Sequence, residues 1–97
     1  MSQKVEKDAI VSMITTVGEF VGRLKQESET EIVLTRPRIV MHNKDGMGFG
    51  AGIAMTGVEE PEEAIFYKTN VVFMNKTNEA IEKAWTTFTS GIEIATP

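Results

Sequence analysis

Cysteine is absent from the 97 residues, which removes disulfide bonds, thiolate zinc sites and a thiol nucleophile at once. Histidine occurs once, at His42, so no cluster of imidazoles can gather a metal. No apolar run approaches the roughly 20 residues that span a bilayer. The opening MSQKVEKDAI lacks the basic-then-apolar build of a signal peptide. There is no excess of positive charge either: the formal net charge is −4, unlike that of a strongly basic nucleic-acid binder. The expectation is a cytoplasmic protein without membrane contact, cofactor or metal, and without enzymatic activity.

What is there suits one small soluble domain. Hydrophobic residues make up 41% and charged residues 25% of the chain, enough for a core but not for two. A domain this small buries a modest share of its surface, so self-association is a plausible further source of stability. Two strands are predicted over AIVSMITTVGEFVGRLK (9–25), with Gly18-Glu19 as their turn. In the second, Phe20, Gly22 and Leu24 take one face while Arg23 and Lys25 take the other. The polar run 26–30 reads as a loop. EIVLTRPRIVMHN (31–43) is β-branched but long for one strand. Pro37 cannot donate to a central ladder, and the apolar phase shifts from Ile32 and Leu34 to Ile39 and Met41. A strand bent or bulged at Arg36-Pro37 is expected.

VEEPEE (58–63) reads as an acidic turn, and AIFY (64–67) and VVFM (71–74) as short strands joined tightly by Lys68-Thr69-Asn70. The last element changes period. Ala80, Ile81, Ala84, Trp85 and Phe88 recur at helical spacing, with Thr77 or Asn78 as N-cap and Gly91 placed to end the helix. The sum is five or six strands and one helix.

Three stretches invite a functional reading. GMGFGAGIAM (46–55) is glycine-rich, but no Lys-Ser/Thr and no helical pattern follow it, so it fails as a phosphate loop. In an extended chain its glycines share one face and Met47, Phe49, Ala51 and Ile53 the other. That suits either a packing or subunit-contact element or a mobile hairpin tip. Glu59, Glu60, Glu62 and Glu63 could hold a hard cation loosely or form a solvated acidic turn. From Arg36 to Lys44 there are Arg36, Arg38, His42 and Lys44 with no acid. This is either a solvated strand face or an electrostatic footprint for a nucleic-acid backbone.

The residues also carry a resemblance. VSMITTVGEFVGRLKQESETEIVL (11–34) resembles the first motif of the Sm-like family, which includes LSm proteins and the RNA chaperone Hfq, with Gly18, Gly22, Leu24 and Ile32-Val33-Leu34 at the matching places. The stretch from Ile65 to Phe73 is similar to the second motif, and Tyr67-Lys68 to the Tyr-Lys that opens it in Hfq. Within the family the wording is most similar to phage-type members of cyanophage origin, which implies the host-cell cytoplasm. The resemblance implies a mainly β fold: a strongly bent five-stranded antiparallel barrel over about 9–75, here with a C-terminal helix over about 77–90. It further implies a homo-oligomeric ring that binds single-stranded RNA as a non-catalytic chaperone or regulator. The residues it marks for RNA are Tyr67, Lys68, Thr69, Asn70, Glu27 and Ser28, joined by the basic Arg36, Arg38 and Lys44. The alternative is a phage structural or protein-interaction module that keeps the ring without binding RNA. The chain departs from the family pattern in several places. Gly18 and Gly22 are one residue closer than usual, and Glu27 (or Ser28) and Glu31 stand where the family has aspartate and asparagine. Thr69 stands at the place of the Hfq histidine, and the helix follows the strands rather than preceding them.

Overall fold

The computed structural model describes residues 5–51, 53 and 56–90. It is mainly β. Six antiparallel strands, β1 (Ile10–Thr15), β2 (Gly18–Glu27), β3 (Glu31–Asn43), β4 (Gly46–Phe49), β5 (Glu63–Tyr67) and β6 (Val71–Lys76), precede one helix, α1 (Glu79–Ser90). The sheet runs β4-β3-β2-β1-β6, and β5 also pairs with β3. Six strands fall within the five or six read from the residues, the first half of the glycine run forming β4. The five-stranded barrel that the resemblance implies is corrected on both counts: there are six strands and the sheet does not close. Among the described residues β5 pairs only with β3 and β6 only with β1, which leaves each with a free edge. No helix of the described residues is long and apolar enough to cross a membrane.

The hinge of this sheet is the middle of β3. Glu31 to Thr35 pair with β5, and Val40 to Asn43 pair with β4. Between them the register with β2 slips: Val21 faces Arg38 and Arg23 faces Thr35, so Arg36-Pro37 forms a bulge opposite Gly22. A bulge bends the strand and raises its twist. Arg36 adopts φ +50°, sparsely allowed for a residue with a side chain. Gly22 is glycine for a steric reason. A Cβ there would lie 3.2 Å from the Leu34 Cβ, the Pro37 Cα and the Thr35 carbonyl oxygen. The expected bend at Arg36-Pro37 is therefore present, with Pro37 buried at its centre.

Each face of the sheet carries a core cluster. Val11, Met13, Phe20, Leu24, Ile32, Leu34 and Met74 form the cluster inside the bend. Ile10 and Val21 point the other way and are covered by Trp85 of α1, with Val40, Phe49 and Ile81 packed around them. The helix starts where its cap predicts: the Asn78 side-chain oxygen accepts from the Ile81 N–H at 2.9 Å, satisfying a donor that no earlier turn can reach. Gly91, expected to end it, lies outside the described residues, as do Gly52, Ala54 and Met55 of the glycine run.

Two turns differ from expectation. The β1–β2 turn is Thr16-Val17, not Gly18-Glu19. The Thr15 hydroxyl accepts from the N–H groups of Val17 and Gly18, both at 3.1 Å, and donates to the Gly18 carbonyl at 2.8 Å. Gly18, at φ +153°, opens β2 in a conformation that side chains rarely adopt. β2 also runs on to Glu27, which leaves only Ser28–Thr30 as the loop.

Candidate nucleic-acid interface

Two tight turns meet at one end of the sheet. Ser28 shapes the first: its hydroxyl accepts from the N–H of Glu31 at 3.1 Å and of Thr30 at 3.3 Å, a hydroxyl standing in for backbone in a turn. The second, Lys68–Asn70, is one 3-10 turn joining β5 to β6. The backbone N–H of Lys68 donates to the Thr30 carbonyl at 2.9 Å, and its ammonium lies 2.8 Å from a Glu27 carboxylate oxygen. On the other side the Asn70 carbonyl accepts from the Thr16 N–H at 2.9 Å. Two turns of the chain are thus fastened to Lys68–Asn70, and the adjoining Tyr67 has 55% of its surface exposed.

Of the nine residues marked for RNA, this assembles six: Glu27, Ser28, Tyr67, Lys68, Thr69 and Asn70. The other three lie elsewhere. Arg36 sits at the bulge, its Nε 3.2 Å from a Glu62 carboxylate oxygen and its N–H donating to the Glu62 carbonyl at 2.7 Å. Thr35 pairs with Glu63, whereas Glu31 pairs with Tyr67, so Arg36 is at the opposite end of β5. Arg38 is 4% exposed. One of its terminal nitrogens donates to the carbonyls of Pro37 and Pro61, at 2.9 and 3.2 Å, while its Nε has no partner among the described residues. Burial, and then the Arg36 charge, pull its pKa below the ordinary guanidinium value against the opposing pull of Glu60 and Glu62. Lys44 is exposed at the β3–β4 turn. The basic stretch 36–44 is therefore not one footprint: its arginines hold the acidic segment 58–63 to the bend.

The turn pair is electrostatically mixed. Lys68 is neutralised by Glu27, and Glu31 is directly opposite Tyr67 in the β3–β5 register. Phosphate would meet carboxylates here as well as a cation, so attraction for an RNA backbone is weaker than the basic residues alone suggest. Apolar surface is better supplied. A hollow of about 320 Å³ lined by Phe20, Ile53, Phe66, Tyr67 and Val71 opens on one side of the turn. A second, of about 310 Å³ beneath Lys68 and Glu27, is floored by Ile32, Val71, Phe73 and Met74. Apart from Tyr67, these lining residues were not marked from sequence. Strand alternation assigns them a buried face and does not tell core from the wall of an open pocket.

A scan against protein-family models and a search of curated proteins found no match to this chain.

Proposed function

We propose that the chain is an Sm-like subunit that assembles through the free edges of β5 and β6 and binds single-stranded RNA, weakly and without catalysis, at the turn pair. The observation that carries this reading is the fastening of turn 28–30 to turn 68–70 by Lys68, which holds a half-exposed tyrosine beside apolar hollows. An exposed ring over a shallow pocket is what an unpaired base stacks on, and stacking tolerates any base because each has a π-face. The open edges support the assembly part. Ile65, Val72 and Phe73 on β5 and β6 are about half exposed or more, and an apolar strand edge left in solvent invites further pairing. Symmetric closure of several copies removes such edges.

Fluorescence anisotropy with labelled uridine-rich and adenine-rich oligonucleotides at low salt is the test. Binding should weaken as salt rises, through counterion release, and Tyr67→Ala should remove roughly 1–3 kcal/mol of it. A second reading is favoured by the charge pairing: Lys25, Arg36, Lys68 and Lys76 each contact a carboxylate. A surface so neutralised suits a protein-interaction module that keeps the assembly without RNA. No binding to any single strand by the assembled protein would select it.

A further inference from the structure

The outer edge of β4 is a third unpaired edge among the described residues, and its hydrogen-bonding pattern can be read from the hairpin. The Gly50 N–H donates to the Ile39 carbonyl at 2.9 Å, in step with the register Val40↔Phe49, Met41↔Gly48, His42↔Met47 and Asn43↔Gly46. Antiparallel ladders alternate bonded and non-bonded pairs. Gly46, Gly48 and Gly50 therefore spend their backbone groups on β3, while those of Met47 and Phe49 point outward. Among the described residues nothing receives them. The two faces of this edge also differ. A Cβ added at Gly46 or Gly48 would meet nothing within 4 Å. On the other face Met47 and Phe49 border a groove of about 700 Å³ shared with Ile81, Ala84 and Phe88 of α1, where Lys83 is the one charge among the described lining residues.

We propose that this edge pairs with the same edge of a second copy, antiparallel, about a twofold axis through Gly48. Only pairings with the twofold normal to the sheet keep both copies' apolar side chains on one face. The one centred on Gly48 sets Met47 against the partner's Phe49, Phe49 against the partner's Met47, and glycine against glycine between them. Met47 and the partner's Phe49 then exchange both N–H···O bonds, as do Phe49 and the partner's Met47, so the outward groups on each side are satisfied. The same operation brings both helices to one side and joins the two grooves into a shared apolar seam, covering Met47, which is 53% exposed, and Phe88, which is 44% exposed. The edge is short, but it carries neither a proline nor a lysine on the strand itself, two of the devices that prevent self-pairing. Its charge is permissive: Lys44 and Asp45 at the hairpin tip cancel, so two copies meet here without like-charge repulsion. The contact is independent of the β5 and β6 edges and of RNA.

The absence of cysteine makes the register testable. At the twofold the Gly48 pair is non-bonded, with Cα atoms about 4.5 Å apart, inside the roughly 4.4–6.8 Å reach of a disulfide. Gly48→Cys in the full chain should therefore oxidise to a covalent dimer faster than Glu29→Cys, an exposed control at the β2–β3 turn. The expected factor is roughly tenfold or more, because pairing concentrates the thiols. Met47→Pro added to Gly48→Cys removes an outward donor and leaves the β3 ladder intact. It should abolish the advantage while far-UV circular dichroism shows the sheet unchanged, and alone it should lower the sedimenting mass of the native chain. Equal oxidation of Gly48→Cys and Glu29→Cys overturns the proposal. So does cross-linking that survives Met47→Pro, since the contact would then not be strand pairing.

Discussion

The bend at Arg36-Pro37-Arg38 and the turn at Tyr67-Lys68-Thr69-Asn70 are alike, each a short basic segment that carries a ring and that the fold pairs with a carboxylate distant in sequence. They differ in what the fold does with the charge. At the bend Arg38 is enclosed, Arg36 is held by Glu62, and the Arg36 carbonyl accepts from the Trp85 indole N–H at 3.0 Å. Arg23 adds a guanidinium 5.7 Å from the centre of the same indole. At the turn, as at the bend, one ion pair forms among the described residues, with Lys68 a third exposed against 43% for Arg36, but the tyrosine faces solvent. The bend encloses an arginine as scaffold, whereas at the turn it is the ring, not the cation, that stays available. Charge in a sequence marks surface potential only after the packing is known.

The sharpest way to break the comparison is to truncate one ring in each region. Trp85 is 1% exposed and joins the helix to Ile10, Val21 and the bulge. Trp85→Ala should cost about 3–5 kcal/mol, a large part of the roughly 5–15 kcal/mol that a domain has. Urea unfolding should show a greatly lowered midpoint or no folded baseline. Tyr67→Ala, at a half-exposed site, should stay within about 0.5 kcal/mol. Equal losses would mean that both rings serve the core.

A smaller effect is expected from closing the space at the bend. Gly22→Val places new atoms against the Pro37 Cα and the Thr35 carbonyl, and backbone cannot turn aside as a side chain can. Overpacking of this kind costs about 1–3 kcal/mol. Gly48→Val meets open space and should leave the melting temperature of the chain nearly unchanged, whatever it does to self-association.

The sequence was most legible where a local rule acts alone. The extent of β3, its bend at the proline, the 68–70 connection and the Asn78 cap each follow from one residue type in one backbone role. The β1–β2 turn was misplaced because Gly18 is the obvious turn residue, yet Thr15 builds the turn one step earlier with its hydroxyl. The closed barrel that the resemblance implies is not formed, and strand alternation could not have decided it, because it gives strands and faces but not whether the last two edges meet. Of the residues marked for RNA, Glu27, Ser28 and Lys68 lie together at the turn pair, whereas Arg36 and Arg38 lie at the bend. Nothing local distinguishes an arginine that will be roofed by residues 58–63 from one left in solvent. That outcome is a long-range contact between segments more than 20 residues apart.

The smallest predicted effect separates the two basic segments by charge alone. Lys68→Ala removes the cation nearest Tyr67 and frees Glu27, so RNA affinity should fall and the salt dependence should flatten by about one counterion. Arg38→Met removes as much charge from the chain, but from an enclosed site whose guanidinium Nε has no partner among the described residues. Replacing a buried charge with an apolar side chain of similar reach is often close to neutral in stability, although Pro61 would lose its donor. Affinity and salt slope should then match the parent protein within error. Titrations of both variants across a salt series, on protein checked for equal assembly, read this directly. If Arg38→Met flattens the slope as much as Lys68→Ala, RNA responds to net charge and not to the turn, and the two regions are not divided as the packing implies.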